Sequence, residues 1–155
     1  MLCIDIFSEN FILKIMETDT TKKFIIHTDG GSRGNPGPAA IGCVIEQNGK
    51  LVEEISKTIG VTTNNVAEYT AVLTALEWLV KNSGTGLTVT IYCDSQLIVE
   101  QLSLRYKIKD EKMKNLFGKV KRLEMENRFL VTYVYVPRNQ NSHADALVNR
   151  ALDHI

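Results

Sequence analysis

The chain has 155 residues, of which 44% are hydrophobic and 23% are charged. This length suits one domain with a sizeable core, and the composition excludes a disordered chain. No apolar run approaches the roughly 18 residues that cross a membrane, so we expect a soluble protein with no membrane partner. Because the formal net charge is zero, no overall charge attracts the protein to nucleic acid or to an anionic membrane.

The three cysteines, Cys3, Cys43 and Cys93, show no CxxC spacing and cannot all pair with one another. A disulfide scaffold or a zinc site is therefore unexpected, and free thiols in a reducing cytoplasm are the simplest interpretation. Cys43 and Cys93 lie in apolar runs and are predicted to be small core residues.

Residues 1–22 do not share the patterns of the rest of the chain. They lack the basic start and the small-residue cleavage site of a signal peptide, and they carry Asp5 and Glu9. We expect a peripheral extension of unknown role, followed by one folded domain over residues 23–155.

Apolar runs and turn residues predict three strands at the start of this domain, over residues 23–28, 39–46 and 50–59. Between the second and third, Asn48-Gly49 is typical of a tight hairpin. The three strands should therefore form an antiparallel meander.

Beyond Thr62 the apolar period changes from two to 3.6, which predicts a helix that ends near residues 82–84. A strand follows over residues 87–93. Because a helix between two strands is typical of a crossover, this strand should lie beside the first and parallel to it. Two helices that end near residues 102 and 126, a fifth strand over residues 130–136 and a closing helix over residues 142–152 complete the prediction.

Four acids stand out by position, namely Asp29, Glu68, Asp94 and Asp145. Asp29 and Asp94 each follow an apolar strand, and parallel neighbouring strands would place them at the same edge of the sheet. Glu68 and Asp145 lie on or beside the inward faces of their helices. Each acid also has an ordinary alternative role: Asp29 in a turn, Asp94 as a helix cap, Glu68 at a helix N-terminus, and Asp145 in solvent.

A cluster of buried carboxylates is strongly disfavoured unless a proton or a cation neutralises it. Since this set offers carboxylate oxygens and no histidine or cysteine ligand, the expected cation is Mg²⁺, with Mn²⁺ as the alternative. Two such ions roughly 4 Å apart can activate water on one side of a phosphodiester and stabilise the leaving oxygen on the other. The acids therefore favour a phosphodiester hydrolase.

The turn after Asp29 is rich in glycine but matches neither a dinucleotide fingerprint nor a Walker loop. The missing side chains of Gly30 and Gly31 would let a ligand come close to Asp29. A simple turn is the alternative.

Four sequence blocks, TDGGSRGNPGPAAIG, TTNNVAEYTA, YCDSQ and HADALVNRA, occur in that order. They resemble type 1 ribonuclease H in its compact bacterial and archaeal form, over about residues 23–152. The resemblance implies an α/β fold with a five-stranded mixed sheet, in which strands 1 to 3 are antiparallel, strands 4 and 5 are parallel to strand 1, and helices flank both faces. It also implies cleavage of the RNA strand of RNA–DNA hybrids, with 5′-phosphate and 3′-hydroxyl ends, and makes residues 23–155 a catalytic domain. The same matching positions make Asp29, Glu68, Asp94 and Asp145 the metal-binding and catalytic acids.

The resemblance further implies residues that contact the nucleic acid. Amide side chains suit the minor groove because they both donate to and accept from sugar hydroxyls and base edges. Asn64 or Asn65 as a helix cap is the alternative. The predicted substrate-binding residues are Gly30, Gly31, Ser32, Asn35, Thr63, Asn64, Asn65, Gln96 and Arg138.

Two departures from the family pattern affect these expectations. The loop over residues 137–142 lacks the histidine that many members carry there, and His143 is interpreted as a structural or peripheral residue. Arg138 is predicted to supply positive charge to this loop instead. The segment between the two middle helices is also too short for the basic protrusion that some members use to hold substrate. Hybrid binding is therefore expected to depend on residues 105–122, which contain eight basic and two acidic residues. Tyr106 is expected to pack against the DNA backbone. Such binding should be modest and sensitive to salt.

Three alternatives remain open beside a monomeric ribonuclease specific for hybrids. One is an enzyme of broader specificity that also cuts RNA duplexes or RNA–DNA junctions. Another is a non-catalytic module that only binds hybrids, although retention of all four acids speaks against it. The last is a domain derived from a transposon polyprotein.

Overall fold

The computed structural model describes residues 22–155, in which five strands form one mixed sheet. The strands are β1 (Lys23–Ser32), β2 (Gly37–Gln47), β3 (Lys50–Thr62), β4 (Thr88–Cys93) and β5 (Leu130–Tyr135). The helices are α1 (Asn64–Ser83), α2 (Gln96–Leu102), α3 (Glu111–Glu126) and α4 (Ser142–Leu152), and a short 3-10 helix (Arg138–Gln140) precedes α4. The predicted extension lies outside the described residues except for Lys22. None of the helices described is long and apolar enough to cross a membrane.

The order of the strands in the sheet is β3-β2-β1-β4-β5. β1 pairs with β2, and β2 with β3, in antiparallel fashion, whereas β4 is parallel to both β1 and β5. The predicted meander, the Asn48-Gly49 hairpin and the crossover through α1 are therefore confirmed. Asn48 and Gly49 both have positive φ, at 51° and 80°, as tight hairpin turns of this kind require.

The predicted end of β1 at Thr28 is wrong. Antiparallel pairing with β2 continues as far as Ser32, because each residue from Phe24 to Ser32 has a partner on β2. Parallel pairing with β4 nevertheless stops at Thr28, opposite Cys93. β2 and β3 likewise extend beyond their predicted limits, because their paired ends lengthen each other.

Helices cover both faces of the sheet, as β2 shows by the alternation of its side chains. Ile41, Cys43 and Ile45 join a large core with α1, α2 and α3. Ala40 and Val44 point to the opposite face of β2, where they pack against α4 in two small separate clusters. Because both faces of β2 are covered, eight of the eleven residues of this strand are buried.

Side chains from just outside α1, α2 and α3 cap the N-termini of these three helices. Thr63 caps α1 by accepting a hydrogen bond from the Val66 N–H, and Ser95 caps α2 in the same way through Ile98. Asp110 caps α3 through Met113. The alternative roles of Asn64, Asn65 and Asp94 as helix caps are therefore wrong, because the preceding or following hydroxyl residue occupies each cap position.

Candidate active site

The four predicted acids line one open cleft of about 440 Å³ at the edge of the sheet. Asp29 lies one residue past the parallel pairing of β1 with β4, and Asp94 directly follows β4. This shared edge brings two carboxylates together from distant parts of the chain. The prediction that the acids converge is thus in agreement with the fold.

Glu68 reaches the cleft because α1 begins very close to β1. A Cβ atom placed on Gly30 would lie 2.3 Å from the carbonyl carbon of Ala67 and 2.5 Å from the backbone nitrogen of Glu68. No side chain fits in that space, so glycine is needed for the contact between strand and helix. Gly30 lines the cleft, but its missing side chain makes room for the helix backbone rather than for a ligand.

A second glycine permits the approach of α4, which carries Asp145. Gly42 is the β2 partner of Asp29, and a Cβ atom there would lie 2.3 Å from the carbonyl oxygen of Ala144. Two glycines next to Asp29 in the sheet therefore allow two helices to bring their acids to it.

Burial and the charges of neighbouring acids make the Asp29 and Glu68 carboxyls difficult to ionise. Asp29 is 7% exposed and Glu68 8% exposed. Burial, together with the negative charges of Asp94 and Asp145, raises the pKa of Asp29 to about 7. Burial and the charge of Asp29 raise the pKa of Glu68 well above its usual range, and the two side chains hydrogen-bond each other. Without a cation, this pair therefore holds a proton near neutral pH.

Asp94 interacts with Asn141, a residue that no sequence motif indicated. Asn141 is almost fully buried, and its amide donates to the carbonyl oxygen of Thr28 over 2.9 Å. Burial raises the pKa of Asp94, while a hydrogen bond from Asn141 and the charge of Arg138 act in the opposite direction. The only sequence signal for this role is the position of Asn141 directly before α4. Its Oδ1 atom and the Thr28 hydroxyl are buried polar atoms that have no hydrogen-bond partner among residues 22–155.

Asp145 is less buried than Asp29 and Glu68. Its carboxylate lies 3.2 Å from the guanidinium of Arg138 and accepts a hydrogen bond from the Asn149 amide at 3.3 Å. The Arg138 side chain is 80% exposed and lines the cleft, so it can move toward an anionic ligand. His143 instead contacts Glu54 at 3.2 Å and does not line this cleft, in line with its interpretation as a peripheral residue.

Cys93, predicted to be a small core residue, is a further neighbour of the acids. Its thiol donates to Glu68 Oε2 over 3.5 Å, and Glu68, Cys93 and Asp94 each place one potential ligand atom within 4.8 Å of the others. Cys93 therefore contacts the site in addition to its predicted place in the core. The signal was present, since Cys93 directly precedes Asp94, but its contact with Glu68 depends on how α1 packs against β4.

The residues of the cleft fit a hard divalent cation. The four acids offer only carboxylate oxygens, which Mg²⁺ and Mn²⁺ prefer. Two of them are nearly inaccessible to water and repel each other when ionised, and a cation would remove this cost. The thiol is a poorer ligand for such ions, and it already donates to Glu68.

Several predicted substrate-binding residues form one network at the mouth of the cleft. The Ser32 N–H donates to Asn64 Oδ1 over 2.9 Å, and the Asn64 N–H donates to Asn35 Oδ1 over 3.0 Å. These bonds connect the glycine-rich turn to the start of α1. Ser32, Asn64, Gly31 and Arg138 line the cleft.

The remaining predicted contacts lie outside the lining of the cleft. Thr63 caps α1, whereas Asn65 and Gln96 lie at helix N-termini with exposed side chains. Part of the basic segment is already paired: Arg105 with Glu100, Lys114 with Glu111, Lys121 with Glu124, and Arg122 with Glu126. Within residues 22–155, the cations of this segment that form no ion pair are Lys107, Lys109, Lys112 and Lys119. Tyr106 is half exposed, as a contact with nucleic acid would require.

Residues 21–153 match the family model described as RNase H. The chain belongs to the ribonuclease H family. Ribonuclease HI of Halobacterium salinarum is 38% identical over 150 residues, which cover 92% of this chain and 70% of that protein. This similarity confirms the prediction of a compact type 1 member.

Two further relatives extend the comparison. A bifunctional protein of Mycobacterium tuberculosis is 41% identical over 133 residues, and the match covers 84% of this chain but only 36% of that protein. LC11-RNase H1, solved in complex with an RNA/DNA hybrid, has a TM-score of 0.80 and 44% identity, covering 84% of this chain and 97% of its own. The predicted family fold is thus confirmed.

Proposed function

We propose that this protein is an endonuclease that hydrolyses the RNA strand of RNA–DNA hybrids and depends on a divalent cation. The observation that carries this proposal is the convergence of Asp29, Glu68, Asp94 and Asp145 on one cleft. Membership of the ribonuclease H family supports it, as does the hybrid bound by LC11-RNase H1.

In this proposal the four acids hold the cations, Mg²⁺ or Mn²⁺. When bound, two such ions would supply the positive charge that activates water and stabilises the leaving oxygen, with 5′-phosphate and 3′-hydroxyl products. The raised pKa values of Asp29 and Glu68 imply that ion binding displaces a proton from this pair. Rigid placement of the acids by the sheet edge and α1 reduces the reorganisation needed for reaction.

The mouth of the cleft would select the substrate. Asn64 and Ser32 are held together by hydrogen bonds, which reduces the entropy lost when they contact a nucleic acid. Asn65 and Gln96 are free to reach the minor groove, where the 2′-hydroxyl distinguishes RNA from DNA. Arg138 would face the phosphate beside Asp145.

The test compares cleavage of labelled RNA–DNA hybrid, RNA duplex and single-stranded RNA in Mg²⁺, Mn²⁺ or EDTA. We expect hybrid cleavage that requires the metal and falls by at least about 100-fold in Asp29→Asn and Glu68→Gln, since even residues behind metal ligands contribute 10- to 100-fold. Glu77→Gln, an exposed acid on the same helix as Glu68, is the matched control and should cleave like wild type.

The outcomes separate the alternatives. Hybrid binding without cleavage in any metal would indicate a binding module and refute the proposal. Cleavage of RNA duplex at a similar rate would indicate broader specificity. Undiminished cleavage by both acid variants would place the reaction elsewhere.

A further inference from the structure

The buried thiol of Cys93 lies between α1, which carries Glu68, and the segment that carries Asp94. Cys93 is the last residue of β4, is 1% exposed and directly precedes Asp94. Its Sγ atom lies 3.5 Å from Glu68 Oε2 and 3.4 Å from the backbone nitrogen of Ser95. The thiol therefore contacts α1 on one side and the segment that follows Asp94 on the other.

Both hydrogen-bonding capacities of this thiol are used. Its single proton is directed to the Glu68 carboxylate, and its sulfur accepts from the Ser95 N–H. Glu68 has three side-chain torsions, and an acid with so much freedom needs partners to hold one orientation. The bond from Cys93 restricts the Glu68 carboxylate relative to Asp94, because the donor belongs to the residue beside Asp94.

We infer that Cys93 is a positioning residue, which orients Glu68 for cation binding in the cleft. This inference rests on the proposed function of the four acids, and it assigns to Cys93 a role beyond filling the core. Groups behind metal ligands commonly contribute 10- to 100-fold to metal affinity by orienting those ligands.

A second buried thiol provides an internal control. Cys43 lies on β2 in the same core, and its thiol donates to the backbone carbonyl of Ala71 on α1 over 3.3 Å. It therefore shares with Cys93 the burial, the side-chain volume and a hydrogen bond to α1. It differs in that its thiol proton is directed to a backbone carbonyl and not to the carboxylate of a cleft acid. If the role of Cys93 were packing alone, equivalent substitutions at the two positions would have equivalent effects on the cleft.

The experiment measures Mn²⁺ binding to the whole protein by calorimetry, at constant pH and without nucleic acid. Cys93→Ala and Cys93→Val remove the donor with a smaller and a larger side chain, so that at least one should keep the fold. Cys93→Ser retains a donor. Thermal unfolding of each variant reports folding independently.

We expect Mn²⁺ to bind Cys93→Ala and Cys93→Val about 10- to 100-fold more weakly than wild type. Cys93→Ser should bind more tightly than either, and Cys43→Ala should bind like wild type. Hybrid cleavage at limiting Mn²⁺ should follow the same order. Wild-type affinity in a folded variant without the donor would overturn the inference, as would equal weakening by Cys43→Ala, or a serine variant as weak as the alanine variant.

A cobalt spectrum distinguishes positioning from direct ligation. A thiolate-to-cobalt charge-transfer band that disappears in Cys93→Ser would show that the sulfur binds the metal itself, and this would also overturn the inference. Failure of the proposed function has a different signature: the wild-type protein would not cleave hybrid, whatever the order of Mn²⁺ affinities among the variants.

Discussion

Arg138 illustrates how much a single exposed residue can contribute to a site made of acids. It supplies positive charge close to three of the carboxyls, and its guanidinium contacts Asp145 directly. Such a group reduces repulsion within the cleft, and it also competes with a cation for the carboxylate that it contacts. Its exposure allows it to exchange Asp145 for a substrate phosphate.

This dual position leads to a prediction for Arg138→Ala. Hybrid cleavage should fall by about tenfold, because a charged donor near the transferred phosphate is lost, while Mn²⁺ affinity should stay equal or increase. Steady-state cleavage and calorimetry would measure the two effects. Arg150→Ala serves as the control, because it removes an exposed arginine near the end of α4, the helix that follows Arg138. Unchanged cleavage in Arg138→Ala would exclude the predicted role in the loop that lacks a histidine.

At the scale of elements, the site depends on how closely helices approach the sheet. Gly30 admits the backbone of α1, and Gly42 admits the backbone of α4. The parallel pairing of β1 with β4 keeps Asp29 and Asp94 adjacent. The acids therefore meet because glycines remove the side chains that would keep helices at an ordinary distance.

Gly30→Ala tests this dependence. The added Cβ atom would overlap backbone atoms of Ala67 and Glu68, which cannot rotate away as a side chain can. We expect the free energy of unfolding to fall by about 1–3 kcal/mol and metal-dependent cleavage to be lost, because Glu68 is displaced. Urea unfolding measures the first effect and the hybrid assay the second.

The neighbouring glycine provides the matched control for stability. A Cβ atom on Gly31 would lie 3.6 Å from Val148 Cγ1, which is an ordinary contact, so Gly31→Ala should change the free energy of unfolding by no more than about 0.5 kcal/mol. Equal stability of both alanine variants would contradict the explanation given for Gly30.

For the whole molecule, the cleft is a source of instability when no cation is bound. The pKa of Asp29 is raised to about 7, and that of Glu68 is raised well above its usual range. The native state therefore binds more protons than the unfolded state between about pH 4 and pH 7. These two acids therefore lower the free energy of unfolding as the pH rises through this interval, the reverse of the usual behaviour of paired carboxylates.

We predict that metal-free Asp29→Asn is more stable than wild type at pH 7 by at least about 1 kcal/mol, because one pKa unit corresponds to about 1.4 kcal/mol. The difference should diminish toward pH 4. Adding Mg²⁺ at pH 7 should stabilise wild type more than the variant, since a ligand stabilises the state that binds it. Urea unfolding in EDTA and in Mg²⁺ provides the measurement. A wild-type protein whose stability rises from pH 4 to pH 7 in EDTA would contradict the prediction.

Periodicity and turn residues predicted the order and type of every strand and long helix described here, because these signals are local. The four acids were also predictable, since each stands at a strand end or on a helix face. The limits of β1 were not predictable in this way. Its last residues, Asp29 to Ser32, carry few apolar side chains, and only pairing with β2 makes them a strand.

Local sequence patterns were therefore enough to predict the architecture and the convergence of Asp29, Glu68, Asp94 and Asp145. The tertiary structure decided which neighbours hold these acids: Cys93 for Glu68, Asn141 for Asp94, and Arg138 for Asp145. It also shows that the missing side chain of Gly30 makes room for the backbone of α1 and not for a ligand. The physical reason is that such contacts join residues far apart in the chain. They depend on the distance and angle between packed elements, which no local pattern encodes.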